Sequence, residues 1–133
     1  MIRLNTSTKG MSREEVSRLI HITLRWCKRR FGINKRKTWE VTWRVLKADD
    51  PHECGQYLPE DNEIEIYWNN MTSMKEIIAT CIHEWTHYKQ PILTKYHRWE
   101  GPYHWNPYEV EARRAEREFT SECWNEIKHK VNN

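Results

Sequence analysis

His83, Glu84 and His87 stand together in the stretch CIHEWTHYKQ, residues 81–90. Histidines at i and i+4 fall on one face of a helix, one turn apart. That spacing lets both imidazoles reach a single Zn²⁺ at about 2.0–2.1 Å. Glu84, one residue on, is turned too far round to ligate comfortably but lies beside the ion's open position. Its carboxylate can there take a proton from zinc-bound water and return it to a leaving amine. Zinc lowers the pKa of that water from about 15.7 to about 7, so attack becomes feasible at neutral pH. The bland alternative is three polar residues on a solvated face of a histidine-rich chain. Cys81, Ile82 and Trp85 leave little room for it, because unpaired imidazoles and a carboxylate are unfavourable inside an apolar helix.

A catalytic zinc needs a third protein ligand. His97 and His104 lie in the segment that follows, and Glu109 and Glu111 lie near the start of the next helical stretch. A glycine three residues after His87 and a histidine three beyond would complete a different three-histidine pattern, but Gln90 and Leu93 occupy those places. On the last helix, a stripe through Tyr108, Ala112, Ala115 and Phe119 defines the inward direction. Glu109 falls about 60–80° from its centre and Glu111 about 80–100°. Glu109, three residues after Asn106, also fits the glutamate of a capping box. Spacing therefore leaves the third ligand open.

The elements that must position these residues are legible. Residues 11–32 read as a first helix, with Ser12 and Glu15 as a capping-box pair and Gly32 just past the end. Val16, Leu19, Ile20, Thr23, Cys27 and Phe31 keep a helical spacing. Residues 38–48 read as a strand, residues 55–58 as a short one, and EIEIYW (63–68) as a strongly alternating one. Ser73 and Glu76 open the helix that carries the histidines, and Pro91 bounds it. Asn106 and Pro107 open the last helix as N-cap and first helical residue. The order predicts an α+β domain spanning 1–133, with a small, mostly antiparallel sheet.

Composition sets the outer bounds. A chain of 133 residues with 38% hydrophobic residues and eight Trp can build one real core. No apolar run approaches the roughly 18 residues of a membrane span, and the start of the chain has no apolar signal region. A cytoplasmic setting without a membrane partner follows as the expectation, with Cys27, Cys54, Cys81 and Cys123 reduced. The net charge is only +3, but basic residues crowd Arg25–Lys37.

HEWTH followed after a loop by NPYEVEA resembles the gluzincin metallopeptidases, most of all their minimal forms among phage-encoded and ImmA/IrrE-like proteins. The likeness runs from about Gly55 to Phe119. It implies a zinc-dependent endopeptidase with His83, His87 and Glu109 as ligands, since EVEA places Glu109 in the family's E-x-x-A pattern. Glu84 takes the role of general base. Position alone, in the loop after the motif, makes Tyr103 the preferred residue for steadying the oxyanion, with His104 and Tyr96 as rivals. A phage or mobile-element origin is implied by the likeness alone. The strand at 63–68 would then be the edge that pairs with an extended peptide substrate. Related chains often carry Asp or Asn four residues after the ligand glutamate; here that residue is Arg113, so support for a ligating imidazole must come from another carboxylate or carbonyl. SprT-like proteases offer a second likeness, in which His104 replaces Glu109. A nucleic-acid-binding module is the competing, less favoured class, resting on the basic run with Trp26, Phe31 and Trp39 interleaved.

Overall fold

The computed structural model describes residues 3–90, 102 and 105–131. Three helices, α1 (Arg13–Phe31), α2 (Met74–Lys89) and α3 (Pro107–Val131), pack with three strands, β1 (Thr42–Leu46), β2 (Gly55–Leu58) and β3 (Glu63–Tyr67). The α+β class is as expected. Helix α1 begins at Ser12, whose hydroxyl accepts from the Glu15 N–H while the Glu15 carboxylate accepts from the Ser12 N–H. It ends at Gly32 (φ 78°), a left-handed position that a side chain would strain. The α2 cap differs from expectation in its second half. Ser73 Oγ accepts from the Glu76 N–H, but the Glu76 carboxylate turns to the N–H and hydroxyl of Thr72.

The sheet corrects two expectations. Its order is β1-β3-β2, with β1 parallel to β3 and β2 antiparallel to it, so it is mixed and not mostly antiparallel. Strand β3 is also central. Its backbone groups are taken on both sides, so residues 63–68 cannot be the substrate-pairing edge. Alternation in EIEIY reports only which face is buried: Ile64 and Ile66 point into the core, Glu63 and Glu65 away from it. It carries no information on how many neighbours the strand has. Among the described residues, the free edge beside the histidine helix belongs to β2.

One contiguous core joins Leu19, Ile20 and Leu24 of α1, Ile64 and Ile66 of β3, Ile77, Ile78, Ile82 and Trp85 of α2, and Ile127 of α3. Each fully buried side chain of this size contributes about 1.5–3 kcal/mol on transfer from water. Helix α2 lies at the centre, touching both other helices and β2 and β3. Its ends are tied independently. At the start, Met74 N–H donates to the Thr6 carbonyl (2.9 Å) and Thr8 N–H to that of Thr72 (3.0 Å). At the end, Trp85 Nε1 donates to the Gly32 carbonyl (3.2 Å) and Lys89 Nζ to that of Ile33 (2.8 Å). The helix that bears the motif therefore has little freedom to rotate or slide.

Gly55 sets how closely β2 approaches that helix. A Cβ there would lie 3.0 Å from the Glu65 carbonyl oxygen, 3.1 Å from Thr80 Cγ2 and 3.3 Å from Glu84 Cγ. Gly55→Ala is expected to cost about 1–3 kcal/mol by overpacking. The measurement is the urea midpoint, and an unchanged midpoint would show that β2 lies farther from α2.

Candidate metal centre

His83 and His87 lie on the α2 face turned towards α3, and Glu109 comes in from the first turn of α3. Asn106 Oδ1 accepts from the Tyr108 N–H (2.9 Å), fixing the start of that helix as its N-cap. Glu109 is buried, with 2% exposed, so the inner face of α3 at this end runs through Glu109, Ala112, Glu116 and Thr120. The apolar stripe placed Glu109 at its flank because it counted only apolar residues. Ala112, fully buried, supplies the small side chain that lets α3 approach α2.

The three candidate ligands converge. Glu109 Oε1 is 2.7 Å from His87 Nε2, Glu109 Oε2 is 3.2 Å from His83 Nε2, and the two Nε2 atoms are 3.1 Å apart. Among the described residues, these three form the one His, Cys, Asp or Glu group close enough to share an ion, with ligand atoms within 4.8 Å of one another. Glu111, the other carboxylate considered, is exposed and reaches Gln90 instead. His97, His104, Tyr96 and Tyr103 lie outside the described residues.

Hydrogen bonding settles how the imidazoles are presented. Gln90 Nε2 donates to the Tyr108 carbonyl (2.9 Å) and to Glu111 Oε1 (3.0 Å). Both partners are acceptors, so the amide can face His87 only with its oxygen. Gln90 Oε1 lies 2.8 Å from His87 Nδ1, which must therefore carry the proton and donate. His83 Nδ1 lies 3.3 Å from Glu116 Oε1, again an acceptor. Neutral imidazoles held this way point bare Nε2 lone pairs at each other and at the Glu109 carboxylate. Four acceptor atoms at 2.7–3.2 Å repel unless protons or a cation lie among them. The residues fit a divalent metal on that ground, and tetrahedral zinc accepts this mixture of nitrogen and oxygen ligands.

Gln90 and Glu116 were not singled out from sequence, though their spacing was readable. Gln90 is three residues beyond His87 on the same helical face, and Glu116 is two turns beyond Glu109. Glu116 supplies the imidazole support that Arg113 cannot. Arg113 instead places Nη1 3.9 Å from Glu109 Oε2.

Glu84 is buried at 6% exposure beside the two histidines, and no hydrogen bond to its carboxylate forms among the described residues. Burial raises its pKa above the ordinary value, opposed by the charges of His83 and His87. For His83, burial works against the charged ring. Hydrogen bonds to Glu109 and Glu116 and the charge of Glu84 outweigh it and push the pKa up to about 10. Glu109 shows the reverse balance: burial disfavours its charge, but bonds from His83 and His87 hold it well below the carboxylate range.

Two consequences follow for metal-free protein. A histidine whose pKa rises from 6.5 to about 10 stabilises the fold fully below 6.5 and loses that contribution as pH climbs towards about 10. Zinc must also displace the His83 proton. At pH 7, zinc binding is expected to release at least one proton, and affinity should rise with pH. Calorimetry in buffers of different ionisation enthalpy measures this; proton uptake on binding would exclude His83 as a ligand.

Compared with protein-family models, curated proteins and solved structures, the chain matches none of them. Among the described residues, no helix is long and apolar enough to cross a membrane.

Proposed function

We propose that this protein is a zinc-dependent endopeptidase of gluzincin type, with His83, His87 and Glu109 holding the ion. The observation that carries this is the convergence of two tautomer-fixed imidazoles on one buried carboxylate, with Glu84 beside them and without a donor among the described residues. When bound, zinc would supply Lewis-acid polarisation of a scissile carbonyl and a water acidified towards neutrality. Glu84 supplies the proton transfers. Its carboxylate oxygen takes the proton of the attacking water, holds it in a poorly solvated place, and delivers it to the departing amine nitrogen. Gln90 and Glu116 hold the imidazoles in register, and Arg113 balances part of the Glu109 charge.

Substrate would bind along β2. Its outer edge is unpaired by any strand among the described residues, and at Gly55 the strand lies against the helix beside Glu84. An extended peptide added there makes backbone hydrogen bonds, so recognition depends little on side chains. Tyr103 remains the proposed oxyanion donor, on its place in the segment that follows the motif alone.

The test is a library of unstructured peptides incubated with zinc-loaded and chelator-treated protein, with new termini identified by mass spectrometry. Cleavage restricted to the zinc-loaded sample is expected. Purified protein that retains no stoichiometric metal under non-chelating conditions would end this proposal.

A further inference from the structure

Seven of the chain's 22 Lys and Arg side chains line one stretch of surface. The exposed face of α1 carries Arg18, Arg25 and Lys28 around His21, and two hollows lie along it. The first, of about 760 Å³, is lined by Arg13, Arg18, Arg25 and Lys130. The second, of about 350 Å³, is lined by Lys28, Lys35, Lys37 and Trp39. Arg25 in one and Lys28 in the other are a single helical turn apart, so the two form a continuous strip. Seven cations line it against two carboxylates, Glu14 and Glu40. That imbalance exceeds the net charge of the whole chain, +3, so the rest of the protein is net negative. The charge is therefore segregated and not merely the solvated background of a basic protein.

The second hollow has a property that charge does not explain. Trp39 is 55% exposed and Ile33 47%, two of the three large hydrophobic side chains left in solvent among the described residues, and both line it. Trp26 and Phe31, the other aromatics of the basic run, are taken by packing. Trp26 is buried and donates to Glu126 Oε1 (3.1 Å), and Phe31 meets Phe119 edge to face. Only Trp39 keeps an open ring, with its Nε1 donating to the Asp61 carbonyl at 3.4 Å. His21 accepts from Trp43 Nε1 at Nδ1 (2.7 Å), so a neutral ring presents its other nitrogen as a donor.

We infer that this strip binds single-stranded nucleic acid, with the backbone following the α1 cations and a base stacked on Trp39. Cations spaced along a groove neutralise successive phosphates, and an aromatic face takes any base. A duplex keeps its bases stacked inside and offers Trp39 nothing. An acidic peptide satisfies the cations but leaves the exposed ring without a partner. The site is separate from the metal group, and none of the candidate zinc ligands lines either hollow.

The experiment is fluorescence anisotropy of a labelled 20-mer of thymidylate against full-length protein, titrated from 50 to 200 mM salt. Binding should weaken with a log–log slope of about −3, corresponding to four or five phosphates at about 0.7 each. Arg25→Ala and Lys35→Ala should each reduce the slope by about 0.7. Trp39→Ala should weaken binding about 10-fold with the slope unchanged, since stacking releases no counterions. Each variant's folding is checked by its denaturant midpoint. Absence of salt-dependent binding overturns the inference. So does preference for duplex, or displacement by polyglutamate as effective as by oligonucleotide with Trp39→Ala silent. Glu84→Gln should bind the oligonucleotide unchanged, so failure of the peptidase assignment and failure of this site are distinguishable.

Discussion

Glu84→Gln is expected to keep stoichiometric zinc and lose about 10²–10⁴-fold in kcat, the usual worth of a positioned acid–base group. The carboxamide is nearly the same shape, so the contact with Gly55 and the helix packing persist. It cannot accept the proton, and nothing among the described residues stands ready to do so instead. A second readout separates this role from a structural one. Burial raises the Glu84 pKa, so its charge opposes folding above the carboxylate's ordinary range, and the penalty is present at pH 7 but absent at low pH. Metal-free Glu84→Gln should therefore melt higher than the parent at pH 7, by about 3–5 °C for each kcal/mol relieved, with the difference shrinking towards pH 4. A variant that cleaves as well as the parent would remove Glu84 from the mechanism. One that melts lower would show that the carboxylate is stabilised by a partner.

The second large effect concerns the third ligand. Glu109→Ala should weaken zinc binding by well over 100-fold, beyond the 10–100-fold typical of groups that only support a ligand. Glu116→Ala should fall inside that narrower range, because His83 keeps its nitrogen but loses the acceptor that fixes its tautomer. Glu111→Ala acts one step further away, through the Gln90 amide, and should cost least. Competition against a chromophoric chelator ranks the three variants. If Glu111→Ala loses zinc while Glu109→Ala keeps it, the ligand assignment is wrong. Metal-free Glu109→Ala should also be less stable, since it leaves two buried imidazoles facing each other without the carboxylate that holds their proton.

Local signals in the chain were good guides to local structure. Residues 55–58 read as a strand and form β2, and Ser12, Gly32, Ser73 and Asn106 bound their helices as their chemistry requires. These features depend on neighbours a few residues away. Order in the sheet does not: nothing in EIEIYW tells whether one strand or two will pair with it, and alternation alone points to an edge where β3 is central. Trp26 reads as an interleaved aromatic in a basic run, yet its position on α1 turns it inward against α3. The candidate site was legible in its chemistry and less so in its support. The spacing of Gln90 and Glu116 from the ligands is readable, but that they support the imidazoles depends on how α2 and α3 meet, which the sequence does not show. The N-terminal strap across Thr6 and Thr8 was equally invisible, being made of backbone bonds between distant segments.

Strand β2 is four residues long, and a partner joining its free edge must itself be extended over a comparable length. Folded domains rarely expose such a segment. Their helices, tight turns and already paired strands have no free backbone to offer. Under the peptidase assignment, the target's own opening equilibrium then enters the observed rate. A segment that costs about 3 kcal/mol to release is available less than 1% of the time and is cut over 100-fold more slowly than the same sequence in a flexible tail. Selectivity could thus reside more in the victim's local stability than in its sequence. Under the same assignment, a ligand that tightens the target around the scissile segment should protect it without binding this protein.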